Sequence, residues 1–148
     1  MATQIRKASL EDLHEVALLF DAYRVFYQKT SAIQSATEFL RARITKQDSE
    51  IFISVTDDVV TGFVQLYPLF SSTRMRRLWL LNDLYVNEKF RGHGISVLLI
   101  DAAKQLCRDT DACGMFLETA RTNEVGNQLY PRTGFVLDDQ HNYYSWDV

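Results

Sequence analysis

Proline and glycine are scarce in this chain, with two and six among 148 residues. That scarcity excludes collagen-like and low-complexity classes. Cysteine is scarce too. Cys107 and Cys113, spaced C-x₅-C, are too few for a disulfide framework and match no common zinc spacing. Two reduced thiols in a cytoplasmic protein are the expectation. A basic excess is missing as well, since 16 Lys+Arg stand against 19 Asp+Glu for a net charge of −3. This argues against a nucleic-acid surface and leaves room for a local anion site. No run approaches the ~18 apolar residues of a membrane span. The opening MATQIRKASL carries no apolar core of a signal peptide. What remains is ordinary globular composition, 47% apolar and 24% charged, at a length that predicts a single domain over 1–148.

Periodicity supplies the elements. Residues 3–8 alternate weakly as a first strand. Ser9 and Asp12 form a capping-box-like start, and Leu13, Val16, Ala17, Phe20, Tyr23 and Tyr27 give an amphipathic helix over 10–27. Ser35 and Glu38 suggest a second cap, with Phe39, Leu40 and Ile44 as the buried stripe of a helix within 32–47. The runs at 51–55, 59–70 and 78–86, with a turn at Asp57-Asp58, predict an antiparallel meander. A glycine-bearing turn at 91–94 opens a helix with Ile95, Leu98, Leu99, Ala102 and Leu106 on one side. Residues 115–119 read as a strand, 123–130 as a helix, and 135–137 and 143–146 as two last strands joined by a polar turn. Strand–helix–strand order in this half implies a parallel crossover. The expected class is α/β (an α+β mixed sheet): a mostly antiparallel sheet of six to seven strands, flanked by about four helices.

The informative segment is DLYVNEKFRGHGISVLLIDAAK, residues 83–104. A helix start leaves about four backbone N–H groups without internal partners and carries roughly half a positive charge. Glycines allow dihedrals that other residues avoid and let a ligand approach the backbone. Arginine adds a forked donor suited to phosphate. Arg91-Gly92-His93-Gly94-Ile95-Ser96 thus has the makings of a di- or polyphosphate site. It is neither a P-loop nor a Rossmann fingerprint, which need other glycine spacings.

This segment resembles the [Q/R]-x-x-G-x-[G/A] turn of the GNAT superfamily of acyl-CoA N-acyltransferases, with Ser96 where that family has Gly or Ala. A second stretch resembles the family's C-terminal motif. Asn123 is followed by Leu129-Tyr130-Pro131-Arg132-Thr133-Gly134-Phe135, with Gly126 where Ala is usual. Residues 78–137 carry the resemblance, and the first 70 match in element order.

The resemblance implies a GNAT fold whose strands 78–86 and 115–119 form a splayed parallel pair around acetyl-CoA, the co-substrate. Leu84, Tyr85 and Val86 would offer backbone groups to the pantetheine and the acetyl carbonyl. The N–H groups of Arg91, Gly92, His93, Gly94, Ile95 and Ser96 would hold the pyrophosphate. Asn123 would bond the pantetheine arm, and Tyr130 would sit by the sulfur as proton donor, a role suited to a phenol of pKa about 10. Pro131 disfavours helical backbone at Tyr130. The chemistry is direct attack of a neutral amine on the thioester in a ternary complex. It requires neither a nucleophilic cysteine nor a metal.

The acceptor is less legible. Tyr23, Phe26 and Tyr27 read as core or as an aromatic wall. Arg74, Arg76 and Arg77 read as a solvated hairpin tip or as a site for a carboxylate or phosphate. The run Leu81-Asn82-Asp83-Leu84-Tyr85-Val86 resembles one in polyamine and diamine acetyltransferases that have Glu in place of Asn82. Asp83 is the candidate to orient the acceptor ammonium, with Glu118 in reserve. A small primary amine is the expected acceptor. A protein lysine is the alternative acceptor, and a catalytically silent acyl-CoA-binding sensor the alternative function. No membrane or nucleic-acid partner is expected. A homodimer is, because the apolar YYSW strand would lie near a sheet edge.

Overall fold

Two aspartates set the first hairpin. In the computed structural model, which describes residues 2–148, Asp57 and Asp58 hold φ of 50° and 64°. Left-handed backbone at both central positions marks the type I′ turn that matches strand twist. It joins β2 (Glu50–Thr56) to β3 (Val59–Ser71), and β4 (Arg76–Val86) completes the meander. β1 (Thr3–Lys7) lies antiparallel on β2, and β5 (Met115–Phe116) lies parallel on β4, giving the order β1-β2-β3-β4-β5.

The chain divides into two compact units, Met1–Leu117 and Glu118–Val148. In the first, α1 (Leu13–Phe26) and α2 (Ile33–Lys46) cover one face of the sheet. Val16, Ala17, Phe20 and Leu40 pack there against Ile51, Ile53 and Phe63. The other face carries α3 (Ile95–Asp109), whose Leu99 reaches within 3.3 Å of where a Cβ on Gly62 would stand. The start of α1 follows the sequence expectation. A 3-10 turn at Leu10–Asp12 precedes the helix, and Asp12 accepts from the Ser9 N–H at 2.8 Å while taking a two-pronged bond from Arg6.

α2 begins earlier than Ser35 suggests. Asp21 of α1 accepts from the Ala32 N–H at 2.7 Å and from the Ser31 hydroxyl at 2.6 Å, so a carboxylate from the neighbouring helix holds the start. Phe39 is exposed rather than buried, stacked between Phe20 and the Arg43 guanidinium. On α3 the buried stripe is Ile95, Leu99, Ile100 and Ala103, while Leu98 faces outward. A helix turning 100° per residue places 95, 99 and 103 in one row, and that row wins over the 98–102–106 row.

In the second unit, α4 (Glu124–Arg132) ends two residues later than expected. Pro131 sits one residue from its end, so the helix goes without only the single N–H that would donate to Asn127 O, and the Phe135 N–H closes the helix on Tyr130 O at 3.0 Å. Tyr130 is therefore helical despite the following proline. The expected strands at 135–137 and 143–146 are not formed, so the sheet of the described residues has five strands rather than six or seven. Runs of three or four residues gain little from pairing only with each other. The turn between them is nevertheless built. Asp138 accepts from the Gln140 N–H at 2.9 Å and pairs with His141 at 2.8 Å, which holds its carboxyl below the usual range.

Candidate active site

The site starts from one extra residue in β4. Gln65 pairs with Asp83, but Leu66 pairs with Leu81, so Asn82 is unmatched. Such a bulge bends the strand and re-aims its side chains. Paired residues share a face and successive residues alternate. Leu81 therefore stays on the α3 side with Leu66, while Asp83 joins Gln65 on the side of α1 and α2. Without the bulge Asp83 would continue the face of Leu81.

The same bulge ends the parallel pairing. β5 meets β4 only at Trp79↔Met115 and Leu80↔Phe116. Beyond Leu80 no strand of the described residues lies on the outer edge of β4, so Leu84 presents its backbone N–H and C=O outward and Val86 its N–H, while Tyr85 turns its own toward β3. An extended ligand arm can bond such an edge as an added strand would.

At the end of β4 the chain turns through a second 3-10 turn, Glu88–Phe90, capped by Asn87. Arg91 then folds back. Its Nε donates to Val86 O at 2.8 Å, and its guanidinium lies 5.2 Å from the Tyr85 ring and 6.0 Å from the Phe26 ring. The Val86 carbonyl is thus taken by Arg91, and Arg91 pins the turn as well as lending it charge. Gly92 and Gly94 hold φ of 83° and 77°, and a Cβ on either would meet nothing within 4 Å. Their requirement is torsional, not steric. Gly94 is the N-cap of α3 and, having no side chain, leaves the first-turn N–H groups uncapped. Ile95, 2% exposed, anchors the turn from below. His93 is exposed and Ser96 half-buried. An uncapped helix start beside an arginine has the donors and the positive end of a dipole that suit an anion.

Behind the β4 edge lies a buried polar relay. Gln65, 0% exposed, donates from Nε2 to Asp83 at 2.9 Å and accepts from the Ser49 hydroxyl at 3.0 Å. Asn82 donates to the other Asp83 oxygen at 3.0 Å, and the Tyr23 hydroxyl donates to Asn82 O at 3.3 Å. Burial raises the Asp83 carboxyl above its usual range, against the pull of the hydrogen bonds from Gln65, Asn82 and Tyr23. Tyr67 is pushed up to about 12, by burial first and by the Asp83 charge second. Of the two readings of Tyr23, the core one holds for its ring, which packs among Phe20, Phe63 and Tyr85, and its hydroxyl reaches the bulge.

In the second unit, Asn123 caps α4. Its Oδ1 accepts from the Gly126 N–H at 3.2 Å, and its Nδ2 donates to Thr119 at 2.9 Å. A Cβ on Gly126 would stand 2.6 Å from that Nδ2, so glycine here makes room for the Asn123 amide. Tyr130 packs edge-on against Phe135 at 5.7 Å. Glu118 is exposed at the start of this unit.

The three arginines of the β3–β4 turn are engaged elsewhere. Arg74 bonds Cys113 O at 2.9 Å, Arg76 pairs with Asp111 at 2.9 Å, and Arg77 stacks on Phe70 and Trp79. They staple the loop that leads into β5. Cys107 and Cys113 are free and half-buried, and burial raises the Cys107 thiol, the opposite of an activated nucleophile. Gln65 and Tyr67 escaped the sequence reading, because a glutamine and a tyrosine within an apolar strand carry no motif. The only signal was Gln65 itself, a lone amide amid VVTGFVQLYPLF.

The chain is similar to known proteins. The Acetyltransferase (GNAT) family matches residues 16–135. The uncharacterized N-acetyltransferase YhfO of Bacillus subtilis strain 168 is 37% identical over 144 residues, covering 97% of each chain. A probable acetyltransferase of Haemophilus influenzae is 31% identical over 139 residues, 93% of each. The crystal structure of a probable acetyltransferase, 38% identical, superposes with a TM-score of 0.93 over 98% of this chain and 97% of that one. The chain belongs to the GNAT acetyltransferase family.

Proposed function

We propose that the protein transfers an acetyl group from acetyl-CoA to the primary amine of a small molecule, by direct attack within a ternary complex. The observation that carries this is the continuous polar edge of the first unit. An open β4 backbone at Leu84 and the Val86 N–H leads into two left-handed glycines and an uncapped helix start. The edge suits an extended amide-bearing arm, and the helix start suits a pyrophosphate, the two parts of one molecule.

The thioester supplies a carbonyl carbon open to an amine and a thiolate that can leave. Backbone N–H groups of β4 stabilise the carbonyl oxygen as it gains charge. The N–H groups of Gly92 through Ser96, with Arg91, hold the diphosphate. Asn123 bonds the pantetheine arm, and Tyr130 gives its proton to the departing sulfur. Asp83 is buried and already bonded, so it acts through a water, orienting the acceptor ammonium at the bulge and taking up its proton along that water before attack, for which its raised carboxyl is suited. Such positioning and proton transfer are each worth orders of magnitude in rate. A homodimer is part of the same proposal.

The test is titration of acetyl-CoA by calorimetry, followed by thiol release over a panel of small amines, amino acids and a lysine peptide. Binding with release for one small-amine class is expected. Release for the peptide alone would move the acceptor to protein lysine. Binding with no release would replace transfer by acyl-CoA sensing. Asp83→Asn is expected to raise the amine KM or lower turnover while leaving acetyl-CoA affinity unchanged, and unaltered kinetics would remove Asp83 from the mechanism.

A further inference from the structure

β3 and β4 outrun the rest of the meander. β2 pairs with β3 only as far as Leu66, so residues 67–71 of β3 pair with β4 alone. Alternation puts Tyr67 and Leu69 on the face of Phe63 and Gln65, which α1 and α2 cover further along. Their partners, Leu80 and Leu78, lie on that face too. None of the four is fully buried. Leu69 is 37% exposed, and Tyr67, Leu78 and Leu80 are half-buried. They form an apolar floor with one phenol, and at the bulge the floor ends on Asp83.

Among the described residues no cation pairs with Asp83. Its hydrogen bonds come from Gln65, Asn82 and Tyr23, all neutral donors. Arg43, whose charge also acts on the Tyr67 phenol, is already paired with Asp48 at 2.7 Å and lies over the Phe39 ring. A buried charge is stable when it is paired, so this carboxylate suits one incoming cation. The floor beside it suits no second one, because a further ammonium would lose its water against leucine side chains. Tyr67, pushed up to about 12, stays a neutral phenol and adds no charge.

From these features we infer that the acceptor is a monoamine with an apolar body, an alkylamine or arylalkylamine. Its single ammonium is oriented at Asp83, and its body lies on Tyr67, Leu80, Leu78 and Leu69. From Leu80 to Leu78 the floor runs about 7 Å at the rise of a strand, room for an aromatic ring or a short alkyl chain. Polyamines and other polycations fall outside this class. The inference rests on the transfer reading and names the substrate class of that same site.

The test is an alkylamine series from propylamine to hexylamine, with spermidine and a lysine peptide alongside, in the thiol-release assay. Calorimetry of the same amines on the full chain gives a readout that needs no turnover. Each added methylene is expected to raise kcat/KM about fourfold, which is the ~0.8 kcal/mol of a buried CH₂ expressed as a rate. Spermidine and the peptide are expected to fall below hexylamine by about tenfold or more. Leu78→Ser and, at the more exposed position, Leu69→Ser are each expected to flatten the slope along the series. Release that is flat along the series, or faster with spermidine or the peptide than with hexylamine, would overturn the apolar body and keep the transfer. Amine binding that tightens with chain length and weakens in Leu69→Ser, with no release from any amine, would keep the apolar floor and overturn the transfer. Neither binding nor release would overturn both.

Discussion

β4 has two ends, and they are held differently. Its first half, Arg76 to Leu80, has a strand on both sides at Trp79 and Leu80, three arginines stapling the adjacent loop, and the Trp79 indole bonded to Thr110 at 2.9 Å. Its second half, Asn82 to Val86, is paired with β3 on one side and has no strand of the described residues on the other. A single unmatched residue, Asn82, separates them. The closed half spends its polar groups on the fold. The open half keeps backbone groups, two glycines and a helix start available for chemistry. Rigidity and availability are thus divided along one strand, and each half can be perturbed alone.

The hardest blow to the open half is Gly94→Val. At φ of 77° a β-branched residue costs about 1–3 kcal/mol of strain and reshapes the first turn of α3. Calorimetry is expected to show acetyl-CoA affinity down by roughly 100-fold, with the protein still folded by circular dichroism. Gly62→Ala strikes the same half from behind. Its Cβ would stand 2.8 Å from Tyr85 O and 2.9 Å from Ser54 Oγ, so β4 must shift. A loss of about 1–3 kcal/mol in denaturant unfolding is expected, together with weaker acetyl-CoA binding.

Gln65→Leu tests the relay. It leaves Asp83 one hydrogen bond short at a cost of about 1–3 kcal/mol, and the sign of its pH dependence follows from the direction of the shift. Asp83 is raised above its usual range, so the stability tied to it is present below the ordinary carboxylate pKa and lost as pH rises through the folded value. Removing the Gln65 donor raises the folded value further. The destabilisation is therefore expected to be larger at pH 7 than at pH 4, and the acidic limb of kcat/KM is expected to move to higher pH. An equal loss at both pH values would mean that Gln65 only fills space. The smallest effect belongs to the closed half. Arg76→Ala breaks an exposed pair with Asp111 and is expected to cost about 0–1 kcal/mol with no change in acetyl-CoA affinity. A large loss of affinity there would erase the distinction between the halves.

The glycine turn was legible because its physics is local. Left-handed φ at Gly92 and Gly94 and an uncapped helix start follow from a few consecutive residues. The meander was legible for the same reason, through Asp57-Asp58 and the apolar runs around them. The bulge at Asn82 was not. It is a property of register between two strands, and nothing in LNDLYV announces it. The face of Asp83, its link to Gln65 and its burial all depend on that register. The range of α2 was legible, but its cap was misassigned to Ser35 because it comes from Asp21, eleven residues before Ala32. The C-terminal strands were misjudged because alternation in 135–146 reports competence to pair and carries no information on where the partner edge lies.

The torsional nature of the glycine requirement makes chirality a usable variable. Gly92 and Gly94 adopt the φ of mirror-image residues, and space around an added L-Cβ is open at both. A D-alanine introduced by chemical ligation prefers that φ without strain, as D residues do in designed turns. Its methyl group projects from the opposite side of the Cα. A chain carrying D-alanine at 94 should keep the stability that L-valine forfeits. Whether it also keeps the co-substrate would report which side of the backbone the phosphates approach, a question no L-amino-acid substitution can pose.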